Sequence, residues 1–177
     1  MESEFKLTCS TVTKLLLSEL KNLDPITVII ENMGEGRGRI IIECYGNVWS
    51  SFWPAMSGTI EEFFIYCNDS YLVNCLSNGL SPTMEDEDAT EEKIRRAVCK
   101  ARHARLISHD DAIVIWEHST MADLRDSLYM FAPALFGCDW YDVPVPQKAN
   151  YHYVYLCRII NAVKEGLKEY IRTQVAA

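Results

Sequence analysis

No run in the 177-residue sequence approaches the ~20 consecutive apolar residues that a bilayer-spanning helix requires. The opening Met1-Glu2-Ser3-Glu4 has neither the positive region nor the apolar segment of a secretory signal. Both absences predict a chain that stays in the cytoplasm where it is made and has no membrane partner. Positive charge is also short: 17 Lys and Arg stand against 25 Asp and Glu, a formal charge of −8. That balance argues against sequence-independent DNA binding by the whole surface, because neutralising phosphates takes a cationic excess on the contacting face. A local basic patch is still allowed. The seven cysteines (Cys9, Cys44, Cys67, Cys75, Cys99, Cys138 and Cys157) are odd in number and scattered, with no C-x-x-C pair. Free, mostly buried thiols in a reducing compartment are expected.

Catalytic signatures are missing too. There is no G-x-S-x-G elbow, and no cysteine sits in a motif with histidine. Gly34-Glu35-Gly36-Arg37-Gly38 invites a phosphate-loop reading but lacks the Gly-Lys-Ser/Thr and the helix that such a loop opens. Since it joins two β-branched runs, a mobile hairpin tip is expected. His103, His109-Asp110 and Asp123 or Asp126 superficially resemble a histidine-aspartate metal site, yet His103 and His109 are too close in sequence to sit on separate packed helices. Asp110 and Asp111 are instead expected as first-turn helix residues. His118 and His152 stand alone, and Glu61-Glu62 is explained by capping. No catalytic, cofactor-binding or metal-ligating residue is assigned, and no cofactor is expected.

What is present predicts an α+β fold. A small antiparallel sheet of three to four strands falls in the N-terminal third, covered by several helices that include a long amphipathic C-terminal one. One domain, 1–177, is expected, sheet-rich over about 1–56 and helical over about 57–177. Strands are predicted at 26–31 and 39–45 around the Gly-rich connection, and at 47–53 after a tight turn near Gly46-Asn47. In the last strand Trp49, Ser51 and Trp53 share one face. Phe5–Cys9 reads as an edge strand, and Val12, Leu15, Leu16, Leu20 and Leu23 have helical spacing behind a Ser10 cap. Thr59-Ile60-Glu61-Glu62 is a capping box, and Asn68 caps a second helix ending near Gly79. A third helix is predicted from about Thr90 to Ile107. Ser108 with Asp111, then Ser119 or Thr120 with Asp123, open two more, near 109–117 and 120–131. Pro133, Gly137, Pro144 and Pro146 predict a loop over 132–149. Tyr153, Leu156, Ile160, Val163, Leu167 and Tyr170 then mark the C-terminal helix.

Charge patterning is the most informative local feature. Glu85, Asp86, Glu87, Asp88, Glu91 and Glu92 precede Lys93, Arg95, Arg96, Lys100, Arg102 and Arg105, with His103 among them. The sign then reverses over 108–142, with Asp110, Asp111, Glu117, Asp123, Asp126, Asp139 and Asp142 against Arg125 alone. The bland account is a solvated helix whose charges complement its macrodipole. The functional accounts are a basic strip (Lys93, Arg95, Arg96, Lys100, Arg102, Arg105) that grips nucleic acid or an acidic protein, and an acidic face that imitates a phosphate backbone. Trp140-Tyr141 lies in a Pro-rich loop, where aromatics reach the surface, and joins Asp110, Asp111, Asp123 and Asp126 as candidate partner contacts.

Leu23-Asp24-Pro25-Ile26-Thr27-Val28, Glu43-Cys44-Tyr45-Gly46, Trp49-Ser50-Ser51-Phe52-Trp53, Thr59–Phe64 and Tyr71-Leu72 together resemble a family of small proteins of tailed phages and prophages of enteric bacteria. Trp140-Tyr141 and Tyr155-Leu156-Cys157-Arg158-Ile159-Ile160 are similar to the same family. The resemblance carries no catalytic residues. It implies an accessory protein that binds and modulates a host protein, as an inhibitor or counter-defence factor. A nucleic-acid-binding protein using the basic helix at 93–105 is the alternative, and an enzyme with no recognisable motif comes after it. Oligomeric state is left open.

Overall fold

The computed structural model describes residues 7–118, 120–126 and 128–176. Its contacts gather into two compact units, one formed by the chain up to Ser81 together with Tyr151 onward, the other by Pro82–Asn150.

The first unit is built on a four-stranded antiparallel sheet in the order β1 (Thr13–Leu17), β2 (Ile26–Asn32), β3 (Gly38–Cys44), β4 (Asn47–Trp53). Strand alternation sends Ile26, Val28, Ile30, Ile40, Ile42, Cys44 and Trp53 to a buried face. Register sets Val28 beside Ile42 and Ile42 beside Trp49, so these side chains stack across the sheet. The β3–β4 turn is Tyr45-Gly46, one residue before the expected position, with both residues at positive φ (50° and 76°) as a two-residue hairpin of matching twist requires.

The helix expected behind Ser10 is instead strand β1. Leu15 and Leu17 turn inward while Lys14 and Leu16 turn out, Leu16 being 66% exposed. Pairing with β2 satisfies backbone groups that a helix here would have left as an open edge, and Glu19 and Asn22 at φ 59° and 58° are incompatible with helix. Of the edge strand expected at 5–9, Leu7–Cys9 form no strand; Phe5 and Lys6 lie outside the described residues. The Gly-rich connection, expected as a mobile tip, is anchored: the Met56 amide donates to the Gly36 carbonyl at 2.8 Å, and Met56 and Ile60 press against Gly38.

Helices α1 (Ile60–Tyr66), α2 (Asp69–Ser77) and α7 (Tyr151–Val175) complete this unit. Thr59 and Glu62 form the expected capping box, and Asn68 caps α2, which ends on left-handed Asn78. Along α7, Leu156, Ile159, Ile160, Val163 and Leu167 recur at helical spacing and are buried with Phe64, Leu72 and the sheet's inner face. Asn32 ties strand to helix. Its Oδ1 accepts from the Ile60 amide at 3.0 Å, and its Nδ2 donates to both carboxylate oxygens of Glu61, at 3.0 and 3.2 Å.

The second unit runs β5 (Thr83–Glu85), α3 (Glu87–His103), α4 (His109–Glu117), α5 (Met121–Arg125), α6 (Ala132–Phe136), a 3₁₀ turn at Trp140–Asp142 and β6 (Gln147–Ala149). β5 and β6 pair antiparallel, and the Asn150 amide donates to the Pro82 carbonyl at 2.9 Å, so the two ends of this unit meet. Ile94, Val98, Ala101, Ile115 and Leu124 lie in its own hydrophobic cluster. Helix α3 begins earlier than Thr90 because Asp86 accepts from the Ala89 amide, and it stops before Ile107 because Arg105 is left-handed, at φ 60°. Helix α4 carries the expected Ser108/Asp111 box. Thr120 caps α5, which stops at Arg125 and not near 131; Ser119 lies outside the described residues. The loop expected at 132–149 contains α6, whose first turn tolerates Pro133, as well as the 3₁₀ turn and β6. The fold is α+β, and among the described residues no helix is long and apolar enough to cross a membrane.

Candidate functional site

The basic strip is on α3, but most of its charge is already engaged. Arg95 pairs with Glu91 and Arg96 with Glu92, each one helical turn apart. Lys93 donates to the Pro144 carbonyl and Arg102 to the Ile107 carbonyl at 2.8 Å. Among the described residues Lys100 and the side chain of Arg105 have no such partner, and Arg105 lies beyond the helix end. Four of the six cations thus already have acceptors within the chain.

The residues proposed for the acidic face are divided among elements. Asp110 and Asp111 occupy the first turn of α4, where Asp111 closes the cap on Ser108. Asp123 receives a hydrogen bond from the Thr120 hydroxyl at the start of α5, and Asp126 ends that helix. Trp140 and Tyr141 sit edge to face with ring centroids 6.3 Å apart in the 3₁₀ turn; Tyr141 is 59% exposed and Trp140 half-buried. Among the described residues no group of three or more His, Cys, Asp or Glu side chains is placed to hold a metal ion.

A different place brings chemistry together, along the junction of α3 and α4. A mainly acidic cleft of about 330 Å³ is lined by Glu85, Glu87, Asp88, Glu91 and Glu117 together with Thr90 and the cation Arg95. Farther along α3, a mainly apolar groove of about 420 Å³ is lined by Val98, Cys99, Ala112 and Ile113, with Arg102, His109 and Glu117 at its margin. Between them lies a third depression bordered by Arg95, Cys99 and Lys100, and Trp116 borders all three. Trp116 is 42% exposed, and the Arg95 guanidinium lies over its ring at 4.9 Å, a cation–π contact. Two polar atoms here are buried without partners: the hydroxyl of Thr90, a residue only 1% exposed, and Arg95 Nε. β5 and the Asp86 cap explain how the acids come together, since Glu85 leaves the strand directly before the α3 first turn that holds Glu87 and Asp88.

In the sequence the 85–92 acids read as helix-end complements, and no motif marks Trp116. The available signal was Trp116 itself, an aromatic on a short helix directly followed by Glu117.

In the first unit several titratable groups have specific partners. Lys164 bridges the Cys67 carbonyl and Asp69, each at 2.6 Å, and pins α7 to the start of α2. Burial is the chief cause pushing the Cys67 and Cys157 thiols above their ordinary value, which keeps them protonated and weakly nucleophilic. The Tyr155 hydroxyl lies 3.5 Å from the Cys44 sulfur; this contact first, and burial second, push the phenol up to about 12. All seven cysteines are free, but Cys9, Cys99 and Cys138 are exposed where mostly buried thiols were expected.

No curated protein and no solved structure matches the chain. A family model described as a phage family matches residues 4–169, nearly the whole length and both units. The chain belongs to that phage family.

Proposed function

We propose that the chain is a phage accessory protein that acts in the cytoplasm of the infected cell by binding and modulating a host protein, as an inhibitor or counter-defence factor. The observation that carries this reading is the α3–α4 trough, in which an exposed tryptophan stands between an acidic cleft and an apolar groove. Interface energy concentrates on a few aromatic and Arg anchors that become desolvated at the centre of a contact, where truncation costs about 2 kcal/mol or more. The resemblance to proteins of tailed phages of enteric bacteria supports an enteric host as the source of the partner.

The test is retention of a host protein from nuclease-treated lysate by the immobilised chain, compared with a Trp116→Ala variant whose circular dichroism matches the parent. One stoichiometric host protein, held by the parent and lost by at least tenfold in affinity with the variant, is the expected result. Retention only after nucleic acid is restored, abolished by modest salt, would replace this reading with nucleic-acid binding through Lys100 and its neighbours.

A further inference from the structure

The acidic cleft holds more negative charge than its fold requires. Acids in the first turn of a helix are stabilised by a macrodipole equivalent to roughly +0.5 charge. Here Glu85, Glu87, Asp88 and Glu117 have no ion pair among the described residues, while Glu91 is already matched by Arg95. Carboxylates gathered around one cleft raise the local concentration of cationic groups. The buried Thr90 hydroxyl in the same cleft is a separate sign. A partnerless buried hydroxyl forfeits its hydration without return, and a ligand that reaches it recovers the loss. Arg95 shows what this lining accepts, for its guanidinium already lies between a carboxylate and the face of Trp116.

We propose that the trough receives a basic amphipathic segment of the partner, with a Lys or Arg side chain entering the acidic cleft beside Thr90 and an apolar side chain entering the groove formed by Val98, Ala112 and Ile113. This rests on the binding-protein reading above and specifies the chemistry of its partner. Helix α3 from Glu87 to Arg102 extends about 22 Å at ~1.5 Å per residue, so a segment of four helical turns spans both sites. The order of the two sites fixes the segment's polarity: cation at the end nearer β5, apolar residue at the end nearer His103. Electrostatic attraction at one end and desolvated apolar contact at the other select against wholly acidic and wholly basic partners.

The probe is a synthetic fourteen-residue peptide with arginine on one face and leucine on the other, compared with the same peptide carrying glutamine for arginine. Titration is followed through the Trp116 indole N–H by NMR, assigned with Trp116→Phe. Saturable shifts of that resonance and of amides 85–91 are expected with the arginine peptide, and at least tenfold weaker binding with the glutamine peptide. Thr90→Val, which keeps side-chain shape, should weaken binding severalfold while the protein stays folded. Joint Glu87→Lys and Glu117→Lys, both at exposed positions, should abolish it. Equal binding of both peptides, or undiminished binding by the charge-reversed variant, would overturn the inference. The lysate experiment separates the two claims. A host protein retained equally by the parent and the charge-reversed variant would overturn the cleft assignment and leave the binding-protein reading standing. Peptide binding as specified, with no host protein retained, would do the reverse.

Discussion

Thr90 concentrates the energetic argument at the scale of single residues. A buried hydroxyl with no partner costs about 1–3 kcal/mol, and replacing it by a methyl of the same shape removes that cost. Thr90→Val is therefore expected to raise the stability of the second unit by about 1 kcal/mol in urea denaturation, while weakening ligand binding; a fall in stability would mean that the hydroxyl is satisfied in the free protein. Asn32 predicts the opposite. Its amide serves the Ile60 N–H and a Glu61 side chain only 8% exposed, so Asn32→Ala leaves a helix donor and a buried carboxylate without a partner. A loss of about 2–4 kcal/mol is expected, and a change below about 0.5 kcal/mol would contradict the latch. Tyr155 gives a pH signature. Its folded value near 12 lies above the ordinary 10, so its contribution to stability is complete below pH 10 and lost as pH rises through 12. Tyr71 and Tyr153 are raised as well, so absorbance titration should show a late-ionising group of tyrosines, and Tyr155→Phe should reduce the amplitude of that late phase by one phenol.

At the scale of elements, glycine and caps decide where structure starts and turns. At Gly36, φ is +66° and an added Cβ would lie 2.7 Å from the Met56 carbonyl oxygen, a backbone atom that cannot swing aside. Gly36→Ala is expected to cost about 1–2 kcal/mol from left-handed strain alone, and more from the clash, measured by chemical denaturation. The helix starts were legible because their signals are local: Thr59 with Glu62, Asn68, and Ser108 with Asp111 each carry the cap in adjacent residues. Strand β1 was not legible, because Leu15, Leu16, Leu20 and Leu23 satisfy helical spacing and only pairing with β2 selects the strand. β5 and β6 were hidden for a related reason. Each is three residues long, and their pairing joins Met84 to Lys148 across the whole second unit. The trough was illegible because Glu85–Glu91 and Glu117 converge only once α4 packs on α3.

For the whole molecule, the two units have separate hydrophobic clusters, and that of the second is smaller. Smaller units bury a lower fraction of their surface, so amides of α4 and α5 are expected to exchange faster than those of β2, β3 and α7 under native conditions. The same contrast appears in thiol chemistry. Cys9, Cys99 and Cys138 should react promptly with a disulfide reagent, whereas fully buried Cys44 should react only on unfolding. Cys99 borders the trough, so its reaction rate should fall when the arginine peptide binds. The most direct test of the central claim, that this phage protein works through the α3–α4 trough, is photo-crosslinking in infected host cells from a benzoylphenylalanine at exposed position Ile113, with Tyr129 as the control position. One host protein crosslinked from 113 and absent from 129 is the predicted result. A crosslink from 129 with none from 113 would contradict the account.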